Sequence, residues 1–295
     1  MKVKTLYNLT LTIISIFIFY SCKTENEMAE EQYKKAYLSF MNEDYGDANE
    51  KITKAIALVQ DNQDYYLLSA RIKMDSKRFE ESIAILSNLN DSGFKKDTVN
   101  FYLGKAYFAF SIEEYEKTGN KNVKKDYLKK SIPFLDYTLN QDIQFYKAYI
   151  YKFKALHNLG DYSNAINTIN NGLKIFPDSI SLINYRGIEK VFLGDLIGAQ
   201  TDINLSINSQ KLDLFNLAES YRFRGLIYTK LDSIKLAIED LSTSISYDSN
   251  NATTFINRAD LFRHQNEINK ACKDYRKAAD LGAISAFEEI KKYCN

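Results

Sequence analysis

The chain has 295 residues, of which 45% are hydrophobic and 26% are charged, so it can bury a sizeable apolar core. Its 39 Lys and Arg residues are balanced by 38 Asp and Glu residues, and the near-zero net charge argues against a nucleic-acid partner. Only 2 Pro and 11 Gly interrupt the chain, which predicts long helices joined by short turns.

The first 22 residues have the pattern of an export signal. Two early lysines precede an uncharged, mostly apolar stretch over residues 5–20, and a membrane-spanning helix needs more, roughly 20 apolar residues. The sequence FYSC, which ends at Cys22, resembles a bacterial lipobox of the relaxed type found in Bacteroidetes lipoproteins. This resemblance implies cleavage before Cys22 and lipidation of its thiol. The alternative is an uncleaved anchor.

A lipid on Cys22 would attach the protein to a membrane. By analogy with other lipoproteins, Lys23 in place of an Asp favours the outer membrane, with the protein facing either the periplasm or the cell surface. Residues 23–28 are predicted to be a short tether that reaches roughly 20 Å before the first helix begins.

Pairs of small residues recur along the rest of the chain, with steps of 34 residues wherever no insertion intervenes. The first members of the pairs are Ala36, Ala70, Gly104, Gly187, Gly225 and Ala259. The second members, each twelve residues after a first member, are Ala48, Ser82, Ala199, Ala237 and Ala271.

This pattern resembles the tetratricopeptide repeat (TPR), a pair of antiparallel helices with small residues at positions 8 and 20, where the helices cross closely. The resemblance implies an all-α TPR solenoid, a right-handed superhelix of about seven repeats with a C-terminal capping helix. The predicted repeats are 29–62, 63–96, 97–145, 146–179, 180–217, 218–251 and 252–283, and the cap is 284–295. Phe153 stands at position 8 of the fourth repeat, so either that repeat is splayed or its neighbour accommodates the ring.

Two spacings are longer than 34 residues. Extra residues around 111–127 predict that both helices of the third repeat are extended into a protruding hairpin, turning at residues 117–120. Its first arm is rich in Glu and its second in Lys, which predicts ion pairs between the arms. Four extra residues between the fifth and sixth repeats are predicted to lengthen the loop near residues 211–216.

In the TPR family, positions 2, 5, 9, 12 and 13 of each first helix line a concave groove that binds peptides or partner helices. In the first three repeats these positions include an apolar stripe of Tyr33, Tyr37, Phe40, Leu67, Phe101 and Phe108. In the last two repeats they include the charged residues Arg222, Lys230, Asp260 and Arg263. The resemblance implies a scaffold for a peptide or protein partner. The stripe could also stack on sugar rings in a glycan or small-ligand receptor, or its rings could pack against one another.

Residues suited to catalysis are scarce. His157 and His264 lie in different repeats without metal-ligand spacing, and the chain has no Gly-rich phosphate loop, so no enzyme activity, cofactor or metal is predicted. Cys272 and Cys294 are each about eleven residues from the turn near Gly282, so two antiparallel helices would bring them level. Outside the cytoplasm they could form a disulfide, and the alternative is two buried thiols.

Overall fold

The computed structural model describes residues 23–294, and the predicted signal segment and Cys22 lie outside these residues. Over the described range the chain forms helices and turns with no strand. The chain divides into two compact units, which meet in sequence at residues 142 and 143. The N-terminal unit contains α1 (Glu25–Met41), α2 (Tyr45–Leu58), α3 (Gln63–Asp75), α4 (Phe79–Asp91), α5 (Lys96–Thr118) and α6 (Lys121–Gln141).

The C-terminal unit contains nine described helices, four antiparallel pairs and a final single helix. They are α7 (Tyr146–Leu159), α8 (Tyr162–Ile175), α9 (Ile180–Leu193), α10 (Leu196–Asn208), α11 (Leu214–Lys230), α12 (Ile234–Tyr247), α13 (Ala252–His264), α14 (Ile268–Asp280) and α15 (Ile284–Tyr293). Each consecutive pair corresponds to one predicted repeat, and α15 corresponds to the predicted cap.

The first helix begins earlier than predicted. Thr24 caps α1: its side chain accepts a hydrogen bond from the Glu27 backbone N–H, and the Glu27 side chain accepts one from the Thr24 N–H. This capping box satisfies two backbone donors and starts the helix at Glu25. The prediction of a tether over residues 23–28 is therefore wrong, because only Lys23 and Thr24 precede the helix. Two residues span at most about 7 Å.

The small residues lie where the two helices of a repeat cross. A Cβ added to Gly104 would lie 2.5 Å from Leu135 Cγ, and one added to Gly187 would lie 2.8 Å from Ile203 Cγ1. The Ser82 hydroxyl donates a 2.8 Å hydrogen bond to the Ala70 carbonyl across the same kind of crossing. The alanines at these crossings are at most 1% exposed, namely Ala36, Ala48, Ala70, Ala199, Ala237, Ala259 and Ala271. Side chains of this size let the helix backbones approach closely.

Phe153 occupies the one crossing with a large residue. It is only 4% exposed. Its ring centroid lies 4.7 Å from that of Tyr185 on α9, so the next repeat accommodates the ring. Of the two outcomes that the sequence left open for this repeat, the structure therefore shows the second.

The third repeat has the extended hairpin. Helix α5 has 23 residues and α6 has 21, against 13 in each of α3 and α4. Gly119 ends α5 with a φ of +66°, a left-handed conformation that glycine adopts without strain. The expected ion pairs between the arms are not found among the described residues. Instead Lys124 Nζ lies 4.8 Å from the centroid of the Tyr115 ring, a cation–π contact across the hairpin.

The four extra residues between the fifth and sixth repeats lengthen helix α11 more than the loop before it. Helix α11 begins at Leu214, four residues before the predicted repeat boundary at residue 218, because the Asp213 side chain accepts a hydrogen bond from the Asn216 N–H and caps it there. The prediction of a lengthened loop over 211–216 is therefore wrong for its second half. The added turn leaves Leu214 and Phe215 65% and 63% exposed.

A disulfide links the last pair of helices to the end of the chain. Cys272 on α14 and Cys294 after α15 are bonded, with their Cα atoms 5.5 Å apart. Ala286 of α15 is fully buried and packs in a cluster with Phe255, Ala278 and Ala279. Helix α15 thus covers the apolar face of α14.

Candidate protein-binding surface

Much of the apolar stripe of the N-terminal unit is buried. Phe40 and Leu67 are each 8% exposed and Phe101 is 4% exposed, so the prediction that these three line a binding groove is wrong. Phe40 packs with Ala36 and Ile52, and Leu67 packs with Leu86 and Leu103. Large apolar side chains at these positions gain more from neighbouring helices than from water, so they join the core.

Three rings of the stripe remain accessible to different degrees. Tyr33 is half-buried and stacks on Tyr65, with ring centroids 5.0 Å apart. Tyr37 is 41% exposed, and Phe108 is half-buried. The stripe is therefore interrupted, and three of its rings contact tyrosines outside the stripe: Tyr33 contacts Tyr65, Phe40 contacts Tyr45 and Phe101 contacts Tyr102.

A surface cavity of about 480 Å³ in the N-terminal unit lies away from the stripe. Its lining combines polar and apolar side chains and includes one aromatic ring, with residues Gln60, Asp61, Gln63, Tyr66, Ile85, Asn88, Leu89 and Ser92. A sugar ring is held by stacking between aromatic faces. A single Tyr side chain does not provide that, so this cavity gives no support to the glycan-receptor alternative.

The charged positions of the C-terminal unit are held in place by neighbours. Arg222 makes a bidentate ion pair with Glu219, at 2.9 and 2.5 Å, and its Cζ lies 4.0 Å from the centroid of the Phe223 ring. Asn251, the residue that caps α13, donates a 3.1 Å hydrogen bond to the same Glu219. The guanidinium is therefore fixed before any partner arrives, which lowers the entropy lost on binding.

Asp260 and Arg263 share a phenol from the second helix of their repeat. The Tyr275 hydroxyl donates a 2.5 Å hydrogen bond to Asp260 Oδ1, and Arg263 Nε donates a 3.3 Å bond to that hydroxyl. Burial, followed by the bond to Asp260, raises the pKa of Tyr275 well above its usual range. Arg263 also lies over the Tyr293 ring at 4.9 Å. Lys230, the fourth predicted charged residue, is exposed.

The sequence analysis missed an aromatic patch in the C-terminal unit. Phe192 is 42% exposed and stacks on Tyr162, with centroids 4.7 Å apart. The same ring makes edge contacts with His157 at 5.1 Å and with Phe223 at 5.7 Å. Because Phe223 carries Arg222 on its face, the patch is continuous with the charged positions. The rule for groove positions could have found it, since Phe192 is position 13 of the fifth repeat.

A buried acid lies beneath this patch. Glu189 is 0% exposed, and its Oε1 bonds to Nδ1 of His157, whose side chain is 29% exposed. Its other oxygen, Oε2, is buried without a hydrogen-bond partner. A buried carboxylate with one polar neighbour depends strongly on that neighbour, so His157 positions Glu189 and supports the patch from below.

The last three repeats share a further buried contact. In each, an Arg at position 7 makes a bidentate pair with an Asp at position 23 of the second helix. The pairs are Arg186 with Asp202, Arg224 with Asp240 and Arg258 with Asp274, all with N to O distances of 2.7–2.9 Å. Their signal in the sequence is an Arg and an Asp sixteen residues apart, three times over.

The pairs also join neighbouring repeats. Arg224 Nη1 donates a 2.9 Å hydrogen bond to Asn204 of the preceding repeat, and Arg258 Nη1 donates an equivalent bond to Ser242. Burial acts to raise the pKa of Asp202, but hydrogen bonds from Arg186 and Lys190 outweigh it, and the pKa is lowered. These contacts hold the helices that carry the charged positions.

The described residues contain no group of three or more His, Cys, Asp or Glu side chains arranged to hold a metal ion. Within residues 23–294, no helix combines the length and apolarity that crossing a bilayer would require.

Comparison with known proteins identifies the fold. No family model matches the chain, and no curated protein matches it. A tetratricopeptide repeat protein from Parabacteroides merdae is similar over 91% of this chain and 99% of its own, with 16% sequence identity and a TM-score of 0.66. TTC0263, a TPR protein of Thermus thermophilus, is similar over 65% of this chain and 96% of its own, at 13% identity and a TM-score of 0.51.

Yeast Tom70 is similar over 91% of this chain, with 17% identity and a TM-score of 0.50, and this chain spans 54% of that protein. Sequence identities this low show the fold alone. The structural similarities and the helix pairs together confirm the predicted fold class: the chain is an all-α TPR solenoid.

Proposed function

We propose that the protein is a non-catalytic scaffold that binds a segment of another protein at the aromatic patch and charged positions of its C-terminal unit. The observation that carries the proposal is the exposed Phe192 ring, which continues through Phe223 to the fixed guanidinium of Arg222. Aromatic and Arg side chains dominate the energetics of protein interfaces when rigid neighbours hold them.

The side chains of this surface favour a partner segment that has both apolar and acidic residues. Phe192 offers an apolar face, while Lys230 and Arg263 offer donors and positive charge on other groove positions of the same unit. A partner segment with a large apolar side chain followed by carboxylates would match both. TPR grooves accept such segments as extended chains or amphipathic helices.

We also propose that the protein is an outer-membrane lipoprotein, attached through Cys22. The proposal rests on the lipobox-like sequence and on the disulfide between Cys272 and Cys294, since such bonds persist in oxidising compartments. Replacing Cys22 by Ser should release the protein from the membrane fraction and abolish incorporation of a labelled fatty acid. Retention of label in that variant would contradict the proposal.

The groove proposal is tested by site-specific crosslinking in the native membrane. A photo-reactive amino acid at position 222 should crosslink a defined partner protein, and Phe192→Ala should reduce the yield of that product by about tenfold. The matched control is Ile197→Ala, which removes an apolar side chain that is 82% exposed in the same unit. Equal loss with both variants, or absence of a specific product, would refute the groove.

A further inference from the structure

The hairpin of the third repeat carries a charged surface that is not part of the proposed binding surface of the C-terminal unit. Helices α5 and α6 are each about two turns longer than α3 and α4. Lys121, Lys125 and Lys129 follow one another at four-residue spacing on α6, and all three are exposed. They form a single stripe, here named the lysine stripe.

The lysine stripe has an excess of positive charge, because α6 has a single exposed acid, Asp126, between Lys121 and Lys129. Elsewhere in the unit lysines pair with an acid four residues earlier, as Lys35 does with Glu31 and Lys54 with Glu50. In the stripe the preceding positions are themselves lysines, and none of the three forms an ion pair within the described residues. The first turn of α6 contains no acidic residue, so the partial positive charge of the helix N-terminus adds to the stripe.

Two other lysines of the hairpin contact aromatic rings. Lys124 lies against Tyr115 and Lys130 against Tyr127, at 4.8 and 5.0 Å from the ring centroids. Burial lowers the pKa of Lys124. The hairpin thus uses some lysines for its own packing and leaves the stripe to solvent.

We propose that the lysine stripe binds an acidic helical segment of a partner protein. Residues four apart on a helix are separated by about 6 Å along its axis, so the stripe spans about 12 Å. A partner helix with Glu at four-residue spacing presents carboxylates at the same interval and can lie antiparallel along α6. Charge complementarity of this kind speeds encounter and fixes register.

A protein segment fits better than an extended phosphate surface. The other arm of the hairpin carries Glu114 and Glu116, half-buried and exposed respectively, and the charge of Glu116 acts on Lys124 of α6. A membrane surface or a nucleic-acid duplex is wide enough to meet these carboxylates as well, and they would repel it. Over residues 121–129, a single helix lying along α6 meets the lysine stripe and one carboxylate, that of Asp126.

The test measures binding of a labelled helical peptide with Glu at every fourth position, by fluorescence anisotropy, to the full chain in neutral detergent. We expect saturable binding that weakens as salt is added. The triple variant Lys121→Glu, Lys125→Glu, Lys129→Glu should weaken binding by about tenfold or more, and the corresponding Gln variant should give a smaller loss. Unchanged circular dichroism verifies that each variant is folded.

The matched control replaces three exposed lysines of the C-terminal unit by Glu, namely Lys235, Lys273 and Lys291. This control should keep its affinity for the peptide within about twofold of the parent chain. Phe192→Ala should also leave the affinity for the peptide unchanged, because Phe192 belongs to the other proposed binding surface, in the C-terminal unit. Equal loss in the control triple, or no binding by the parent chain, overturns the proposal. Tighter binding of phosphatidylglycerol vesicles or duplex DNA than of the peptide would overturn it as well.

Discussion

The two units of the molecule hold their helix pairs together by different means. In the N-terminal unit ring contacts contribute: Phe110 lies 4.6 Å from Tyr127 and 6.0 Å from Phe79, measured between centroids, and one ion pair joins Lys73 of α3 to Glu81 of α4. In the last three repeats of the C-terminal unit, bidentate Arg–Asp pairs perform this role. The same repeat positions in the first repeat carry Lys35 and Lys51, which cannot pair with each other.

This difference explains where each unit can offer a surface. When the rings hold the helices together, they are buried and cannot face a partner, as Phe40 and Phe101 show. When ion pairs hold the helices, rings such as Phe192 are free to remain on the surface. Tyr37 of the N-terminal unit is nevertheless 41% exposed, so packing reduces the exposed aromatic surface of that unit without removing it.

The largest expected effect comes from replacing one buried ring of the N-terminal unit and one exposed ring of the C-terminal unit by Ala. Phe110→Ala should lower the free energy of unfolding by about 3 to 5 kcal/mol, because it leaves a cavity among packed rings. Phe192→Ala removes a ring that is 42% exposed and should cost less than about 1 kcal/mol. Urea denaturation of both variants measures the difference. Similar losses would contradict the assignment of Phe110 to the core and Phe192 to the surface.

The next effect concerns the buried acid of the C-terminal unit. His157→Ala leaves Glu189 buried without its polar neighbour, and we expect a loss of about 3 kcal/mol, at the lower end for a broken buried pair because His157 is partly exposed. Adding Glu189→Gln to this variant should recover part of the loss. His264→Ala, at an exposed position, is the control and should be close to neutral. Denaturation at neutral pH gives all three values.

A smaller effect is expected from one Arg–Asp pair. Asp240→Ala should cost about 2 kcal/mol, since it removes two charge-assisted hydrogen bonds from Arg224. The double variant Arg224→Met with Asp240→Leu should be more stable than the single one, because no half-buried charge is left unpaired. In the N-terminal unit, Lys35→Met at the corresponding position should change stability by less than about 0.5 kcal/mol. A double-mutant cycle by denaturation measures the coupling.

The smallest effect is a pH dependence. The pKa of Asp202 is lowered in the folded protein, so its pairing stabilises the fold above the unfolded pKa of about 3.9 and is lost as the pH falls through the folded value. The parent chain should exceed Asp202→Asn in stability by about 1 kcal/mol at pH 7, and the gap should close below about pH 4. A gap that widens on acidification would contradict the lowered pKa.

Much of the fold could be predicted from the amino-acid sequence. The phase of the repeats, the hairpin around residues 111–127 and the cap follow from spacing, because each depends on contacts within a repeat. Two errors at helix ends, before Glu25 and Leu214, were also avoidable, since Thr24 with Glu27 and Asp213 are recognisable caps. These signals are local and act over three or four residues.

The binding surface was predictable only in part. The positional rule names Arg222 and Arg263 as groove residues, which stays a prediction, but it cannot say that Phe40 is covered while Phe192 is exposed. Exposure depends on the size and packing of side chains from the adjacent repeat. Glu189 is a further example, because its burial against His157 joins residues 32 positions apart.

By itself the sequence determined the helix pairs, since tiny side chains at two matched positions permit close crossing and larger ones at the remaining positions supply the core. The tertiary structure decided which rings pack inward, which acids are buried and which lysines keep no partner. The reason is physical: periodicity fixes contacts within a repeat, whereas burial and pairing depend on the side chains that other repeats bring alongside.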